Sequence, residues 1–528
     1  MTTARYRLLA AAPVWAATAL LAAGLAAPGA HAQGAKGNNI VIVLPEEPTG
    51  LDGCNMDSSF VGRVVKQNIT ETITEIDPND GSVKPRLAVS WDKIDDKTWR
   101  FKLRPGVKFT DGAPLTAQNI ADSMERMMSK EAVTAANGTK AGLDCTIRTR
   151  MFSNIALKGK AIDDLTLEIS ADKPVPILPT QMGIMPVMSP NSPKDKLTNT
   201  PVGTGPYVYV NWVSGQEINL KRNDNYWGAK PDVEGAKFVW RNESSVRASM
   251  VKIGEADFAP QIAPQEATDP KMDVSYLNAE TTWLRIDMTR KPMDDIRIRR
   301  AMNYAIDRNA MRGSILPKDV IPATQVVIPS VFGHNNELDK KVWAYDPAKA
   351  KALIAEAKKD GAPVDREIIL IGRTSYYPNG QEAMEAMMGM LTAVGFNIKL
   401  QMLEVGQWNS VNRKPWAEDR PAILLQSMHD NDKGDASFSA YPRYGCEALT
   451  SNVCDPELDK KINLAATLTG AERAKTYQEV FRILYEEIVP DINMFHMVGY
   501  SRVGDRIDFK PSVATNAEIQ IAHMKLKK

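Results

Sequence analysis

Seven residues, Pro201-Val202-Gly203-Thr204-Gly205-Pro206-Tyr207, constrain this chain more than any other stretch. Two glycines and two prolines in so short a run force a tight, rigid turn, because proline fixes φ and glycine admits geometries closed to other residues. A strand follows. The chain then runs through Leu220-Lys221-Arg222-Asn223-Asp224-Asn225-Tyr226-Trp227 and ends on an aromatic pair. Gly203-Thr204-Gly205 opens like a dinucleotide loop and fails as one. Pro206 removes an amide that would face phosphate, and no third glycine follows at the required spacing.

At 528 residues the chain is too long for one core, so two or three domains are expected. Its 65 basic residues almost cancel 64 acidic ones, leaving a net charge of +1. That balance supplies no field to attract nucleic acid or an anionic membrane. Arg5 and Arg7, an apolar run over residues 8–27, and Ala30-His31-Ala32 have the layout of an export signal. Residues 1–32 are therefore expected to be cleaved, placing the mature chain in the periplasm. The rival is an uncleaved membrane anchor, since the run nearly spans a bilayer. Its small-residue ending favours the peptidase.

Cys54, Cys145, Cys446 and Cys454 then lie in an oxidising compartment, where three connectivities are open to them. Cys446 and Cys454 are close enough to close a local loop, which leaves Cys54 with Cys145 by elimination. Chain entropy gives about 2.5 kcal/mol for the short loop and about 4.5 kcal/mol for the long one. Zinc is the rival, but no C-x-x-C and no histidine at ligand spacing supports it.

Asn39-Ile40-Val41-Ile42-Val43-Leu44 reads as a buried first strand. Trp99-Arg100-Phe101-Lys102-Leu103-Arg104 alternates as a half-buried strand. Thr116 caps a helix carrying Ile120, Met124, Met127 and Met128. Prolines crowd residues 171–205, a connecting region without a long element. Asp295 starts a helix expected to run to Gly313. Asp346-Pro347 starts another, stopped by Gly361. Ile368-Ile369-Leu370-Ile371, a methionine-striped helix around Met384 and Met387, and the alternating Ile398, Leu400 and Met402 make a βαβ unit. The 24 methionines fall mostly on helical stripes and fill core. The fold class is α/β with at least two lobes.

Catalytic signatures fail. There is no G-x-S-x-G, H-E-x-x-H or G-x-x-x-x-G-K-[ST]. A triad assembled only in space stays open, so a hydrolase on a two-lobed scaffold is the alternative function.

Four segments resemble the family 5 extracellular solute-binding proteins of ABC importers, the peptide, nickel and opine type. They are residues 99–117, the two motifs quoted first, and residues 297–308 with Arg300-Ala301-Met302-Asn303-Tyr304-Ala305-Ile306-Asp307-Arg308. The resemblance implies a periplasmic-binding-protein fold, two lobes with central mixed sheets joined by a two-crossover hinge, plus an extra domain on lobe one. Lobe one would be residues 33–75, 201–285 and 501–528, the extra domain 76–200, and lobe two 286–500, with hinges near 283–288 and 498–503. It also implies a monomer that carries a di- or oligopeptide, or another amino-acid-derived solute, to a membrane permease. ATP would be hydrolysed by a separate subunit. A nickel chelate or an oligosaccharide is the alternative ligand.

In peptide-binding members an aspartate of lobe two pairs with the ligand's α-ammonium. The matching stretch here is Met428-His429-Asp430-Asn431-Asp432-Lys433-Gly434-Asp435-Ala436-Ser437-Phe438, which lacks the family's usual tryptophan or glycine before the aspartate. Asp430 or Asp432 is first choice for that role and Asp435 third; a solvated acidic loop is the bland reading. Trp283 stands where the family places an aromatic near the cleft, either stacking on ligand or packing the hinge. Arg373, with Tyr376 and Tyr377, follows a buried strand whose end commonly faces the ligand crevice. There it would clamp a carboxylate or lie on the surface. His429 invites a nickel reading, since some members carry nickel, but suits a hydrogen-bonding role better. No cofactor is assigned. Tyr226 and Trp227 are expected to pack lobe one outside the cleft.

Overall fold

The computed structural model describes residues 37–77, 81–129, 133–134, 140–141, 143, 145–152 and 155–528. The export signal read from the sequence lies outside the described residues. Among those described, no helix is long and apolar enough to cross a membrane.

The elements that position the site begin with strand β1 (Asn39–Leu44), helix α1 (Ser59–Val65), strands β2 (Ala88–Lys93) and β3 (Thr98–Leu103), and helix α2 (Ala117–Met128). Strands β4 (Leu157–Asp163), β5 (Thr166–Ala171), β6 (Tyr207–Val213), β7 (Glu217–Arg222), β8 (Gly235–Trp240), β9 (Phe258–Ala259) and β10 (Asp273–Ile286) follow. Then come helices α3 (Ile296–Ala305) and α4 (Pro347–Lys359), strand β11 (Ile368–Arg373), helix α5 (Gly380–Ala393), strand β12 (Ile398–Leu403) and helix α6 (Val405–Asn412). Strand β13 (Ala422–Asp430), helices α7 (Ser437–Tyr444) and α8 (Gly470–Arg482), and strand β14 (Asp491–Val503) complete the set.

Local chemistry explains most boundaries. The β1 run buries Ile40, Ile42, Val43 and Leu44. The Thr116 hydroxyl accepts from the Asn119 amide at 3.2 Å and starts α2, while Asp346 caps α4 at the Lys349 amide. Gly361 and Gly395 have φ of +89° and +111°, as helix stops need. One expected helix is cut in two. It ends at Ala305, because the Asp307 carboxylate accepts from the Ala310 amide at 2.9 Å and caps a second short helix, Arg308–Met311.

Among the described residues the main sheet has eleven strands, in the order β6-β7-β8-β1-β9-β14-β10-β13-β11-β12, with Ile321–Pro322 pairing β14 off that path. β1 runs parallel to β8 and β9, and β11 runs parallel to β12 and β13. Between these parallel groups β10 and β14 pair antiparallel and belong to both. Residues 273–277 pair with 498–502. After a register shift, 281–285 pair with 491–496. The molecule is thus two α/β lobes with mixed sheets, joined through two strands. A separate four-stranded antiparallel sheet, β2-β3-β5-β4, carries α2. Cys54 is bridged to Cys145 and Cys446 to Cys454.

The Pro201–Tyr207 run owes its glycines to crowding, and neither has a positive φ. A Cβ on Gly203 would overlap the Ile69 carbonyl oxygen, and one on Gly205 that of Asn68. The chain lies flat on that backbone, with the Gly205 and Tyr207 amides donating to Ile69 and Asn68 at 3.0 and 2.9 Å. Thr204 between them donates its hydroxyl to Glu71 at 2.8 Å. Glu71 is fully buried and also accepts from Arg86 Nε (2.7 Å), Tyr226 OH (2.9 Å) and Trp227 Nε1 (2.7 Å). Both opening motifs therefore converge on one carboxylate, which satisfies a charge that burial alone would make costly. Because backbone cannot yield as a flexible side chain does, Gly203→Ala or Gly205→Ala is expected to lower stability by about 1–3 kcal/mol in urea denaturation.

Candidate functional site

Between the lobes lies a cavity of about 400 Å³, a volume suited to a small solute. One wall comes from lobe one, through Glu46 in the loop after β1 and Ser59, Phe60 and Arg63 of α1. The other comes from Arg373 at the end of β11, Tyr376 just beyond it, Met428, His429 and Asp430 at the end of β13, and Arg443 of α7. Parallel strands direct their C-terminal ends to this crevice, so side chains there meet in one place.

Asp430 holds one unsatisfied oxygen. Its Oδ1 accepts from the Asp432 amide at 3.1 Å, whereas its Oδ2 is buried with no hydrogen-bond partner. Burial, then the charge of Asp432, pushes its carboxyl well above the usual carboxylate range. Arg373 donates Nη2 to Glu46 at 3.0 Å, and its guanidinium lies 4.8 Å from the Phe60 ring centre and 4.6 Å from that of Tyr376. The Tyr376 hydroxyl accepts from the Met428 amide at 3.1 Å, and its ring meets Trp408 edge-on. His429 Nδ1 accepts from Arg443 at 3.2 Å, which leaves the proton on Nε2, donated to Ser439 at 2.7 Å.

Three other candidates stand elsewhere. Asp432 faces away from the cavity, with its carboxylate taken by Lys433 at 2.6 Å and Lys66 at 3.6 Å. Burial is the largest influence on it and pushes it up, yet those two ammonium groups hold it below the usual range. Asp435 is engaged by both terminal nitrogens of Arg473, each at 2.6 Å, and caps Ser437. Trp283 packs in the core beneath the cleft with Val326, Tyr444 and Phe481, so its area is spent on packing. Tyr226 and Trp227 are absorbed by Glu71, outside the cavity.

Glu46, Arg63 and Glu280 also line the cavity and did not emerge from the sequence. The rule that singled out Arg373, a charge just past a buried parallel strand, applies equally to Glu46 after β1. Arg63 is 1% exposed in α1 and donates Nε to the Asn516 carbonyl at 2.5 Å. Glu280 sits on the register shift of β10, opposite Asp430, and accepts from Asn278 and Asn516. Burial pushes it above the usual carboxylate range. The lobes also touch through Lys66 with Asp432 and through reciprocal amide bonds of 3.0 Å between Gln265 and Asn379. Among the described residues no cluster of three or more His, Cys, Asp or Glu side chains could hold a metal ion.

The family model described as bacterial extracellular solute-binding proteins, family 5 Middle, matches residues 82–449. Di/tripeptide-binding protein 1 of Pseudomonas aeruginosa is 27% identical over 514 residues, covering 90% of this chain and 92% of the relative. Heme-binding protein A of Haemophilus influenzae is 24% identical over 505 residues, with 90% of each chain covered. Among solved structures, the periplasmic binding protein DppA of Helicobacter pylori in complex with the peptide STSA has a TM-score of 0.80 at 20% identity, over 93% of this chain and 98% of that one. A dipeptide-binding protein of Pseudoalteromonas sp. SM9913 in complex with Met-Leu gives 0.80 at 18%, over 93% and 100%. The structural likenesses show the same two-lobed fold.

Below the cavity, His496 of β14 pairs its Nδ1 with the Thr281 hydroxyl at 2.8 Å. Burial, then nearby His334, pushes its ring from the ordinary 6.5 down to about 3. The unfolded chain therefore takes up a proton between those values that the fold refuses. Stability is expected to fall as pH drops through the window from 6.5 to about 3. Urea denaturation across that range should show the slope, and His496→Gln should flatten it.

Proposed function

The chain belongs to the bacterial extracellular solute-binding proteins of family 5, and we propose that its cavity captures a di- or oligopeptide, or another amino-acid-derived solute, for the permease of an ABC importer. The observation that carries the ligand class is the buried, unpartnered Oδ2 of Asp430 in a cavity walled by both lobes. A ligand ammonium placed there would satisfy the oxygen and draw the carboxyl into its ionised form. Arg373, 57 residues earlier on a neighbouring strand, supplies the complementary cation for a carboxylate or carbonyl. Tyr376 supports Arg373 from below, and His429 orients Arg443. Asp432, Asp435 and Trp283 hold the loop and floor in place.

The pairing supports a bend where β10 shifts register, at residues 278–280, a few residues before the stretch first suggested. Residues 281–286 already pair with β13 of lobe two. Ligand bridging the two walls would hold the closed form, and the closed form would dock on the permease. We read the protein as an exported monomer, its residues 1–32 acting as a cleaved signal.

A hydrolase reading would rest on the contact between His429 and Ser439. The hydrogen-bond direction opposes it. Nδ1 is occupied as an acceptor, so Nε2 arrives protonated and has no capacity to take the Ser439 proton.

Asp430→Asn is expected to weaken binding of dipeptides with a free α-amine by about 2–5 kcal/mol in titration calorimetry, while Asp435→Asn lowers stability and leaves affinity intact. N-acetylated dipeptides should lose affinity for the unaltered protein. Because the empty site favours the protonated carboxyl, binding should release a proton and strengthen as pH rises through neutrality. Calorimetry in buffers of different ionisation enthalpy reads that release directly.

A further inference from the structure

Glu46 and Arg373 are 327 residues apart in sequence and on opposite lobes, yet they form an ion pair across the cavity at 3.0 Å. Both are largely shielded, with side chains 20% and 5% exposed. The Arg373 guanidinium is also held between a lobe-one ring, Phe60, and a lobe-two ring, Tyr376. This one cation is therefore clamped by both halves of the molecule.

The clamp is incomplete. Glu46 engages Nη2 only, and Arg373 Nε is buried with no hydrogen-bond partner. A carboxylate presented edge-on to a guanidinium takes two parallel N–H donors. Glu46, tethered to the loop after β1, reaches one of them. Its own carboxyl is poorly served, because burial pushes it above the usual range against the pull of Arg373 and Arg63. A free carboxylate entering the cavity has two donors to gain where Glu46 has one to lose.

We infer that Glu46 is a built-in stand-in for an anionic ligand group, latching Arg373 across the shut, empty cleft and yielding it to a ligand carboxylate. Glu46 thereby sets specificity at that end of the cavity. Ligands bearing a carboxylate there must displace it, and ligands ending in a neutral group leave the latch closed and bind beside it. The inference rests on reading the cavity as the solute site.

Two measurements test it. In small-angle scattering of ligand-free protein, Glu46→Gln should shift the population toward an open, larger form, and the exchanged pair Glu46→Arg with Arg373→Glu should recover the compact one. Identical profiles for the unaltered protein and Glu46→Gln would overturn the latch. In calorimetry, a dipeptide and its C-terminal amide are compared. Glu46→Gln should raise the acid-to-amide affinity ratio at least tenfold, an order set by one charge-assisted hydrogen bond. An unchanged or lowered ratio would overturn the competition. If the unaltered protein binds no peptide of either kind, the peptide reading fails and the scattering result alone decides the role of Glu46.

Discussion

The whole arrangement depends on two antiparallel strands, β10 and β14, that serve both lobes at once. Each lobe's sheet ends on this pair, so neither lobe can move without bending it. The ladder shifts register between Leu277 and Thr281, and again between Thr282 and Trp283. Residues inside such an irregularity lack regular partners, which makes bending there cheaper than in a uniform ladder. Glu280 occupies that irregular stretch and faces Asp430 on the next strand. The carboxyl proposed to meet a solute and the bend proposed between the lobes are therefore neighbours.

Electrostatics gives the reason closing on a guest would be favourable. The cavity is lined by Glu46, Asp57, Glu280 and Asp430 and by Arg63, Arg373, Arg413, Lys433 and Arg443. These ionisable groups nearly balance, but Asp430 Oδ2 and Arg373 Nε have no hydrogen-bond partner. Water can satisfy the remainder while the cleft is open. Once it shuts, the dielectric falls and each unmet group becomes costly. Only a guest with complementary groups removes that penalty, so a correct guest shifts the population and a wrong one does not. The same logic explains why Asp432 and Asp435, although in the same loop, are spent on Lys66, Lys433 and Arg473. A loop carrying three carboxylates into a buried setting needs two neutralised for the third to be free.

Much of this was readable in the residues, and the failures have physical causes. The strand over Asn39–Leu44, the βαβ unit through Arg373 and the caps at Thr116 and Asp346 follow from local periodicity and side-chain chemistry. The place of Asp430, Arg373, Tyr376 and His429 along one crevice followed from the resemblance together with the rule about strand ends. Which aspartate faces inward was not legible, because it depends on Lys66 and Arg473, 366 and 38 residues away from their partners in the chain. Glu46 leaves no local signal, because it lies between Pro45 and Pro48 just past the first strand, where the pattern marks only a break in the chain. The glycines of the opening motif were read as turn formers. Their real constraint, the backbone at residues 68–70, lies over a hundred residues upstream and leaves no local trace.

Lobe one is tied together by its most distant parts. Arg63 and Asn68 of the first helix region bond to the backbone carbonyls of Asn516 and Ile519, sequence separations of 453 and 451. Until those late residues have been made, the Arg63 guanidinium lacks its Asn516 acceptor and Asn68 lacks its shortest bond, the one to Ile519. A polypeptide built this way stays loose while it is being made, since closing such long loops is slow. On the reading of residues 1–32 as an export signal, that delay would keep the chain competent to thread a secretion channel before it takes shape.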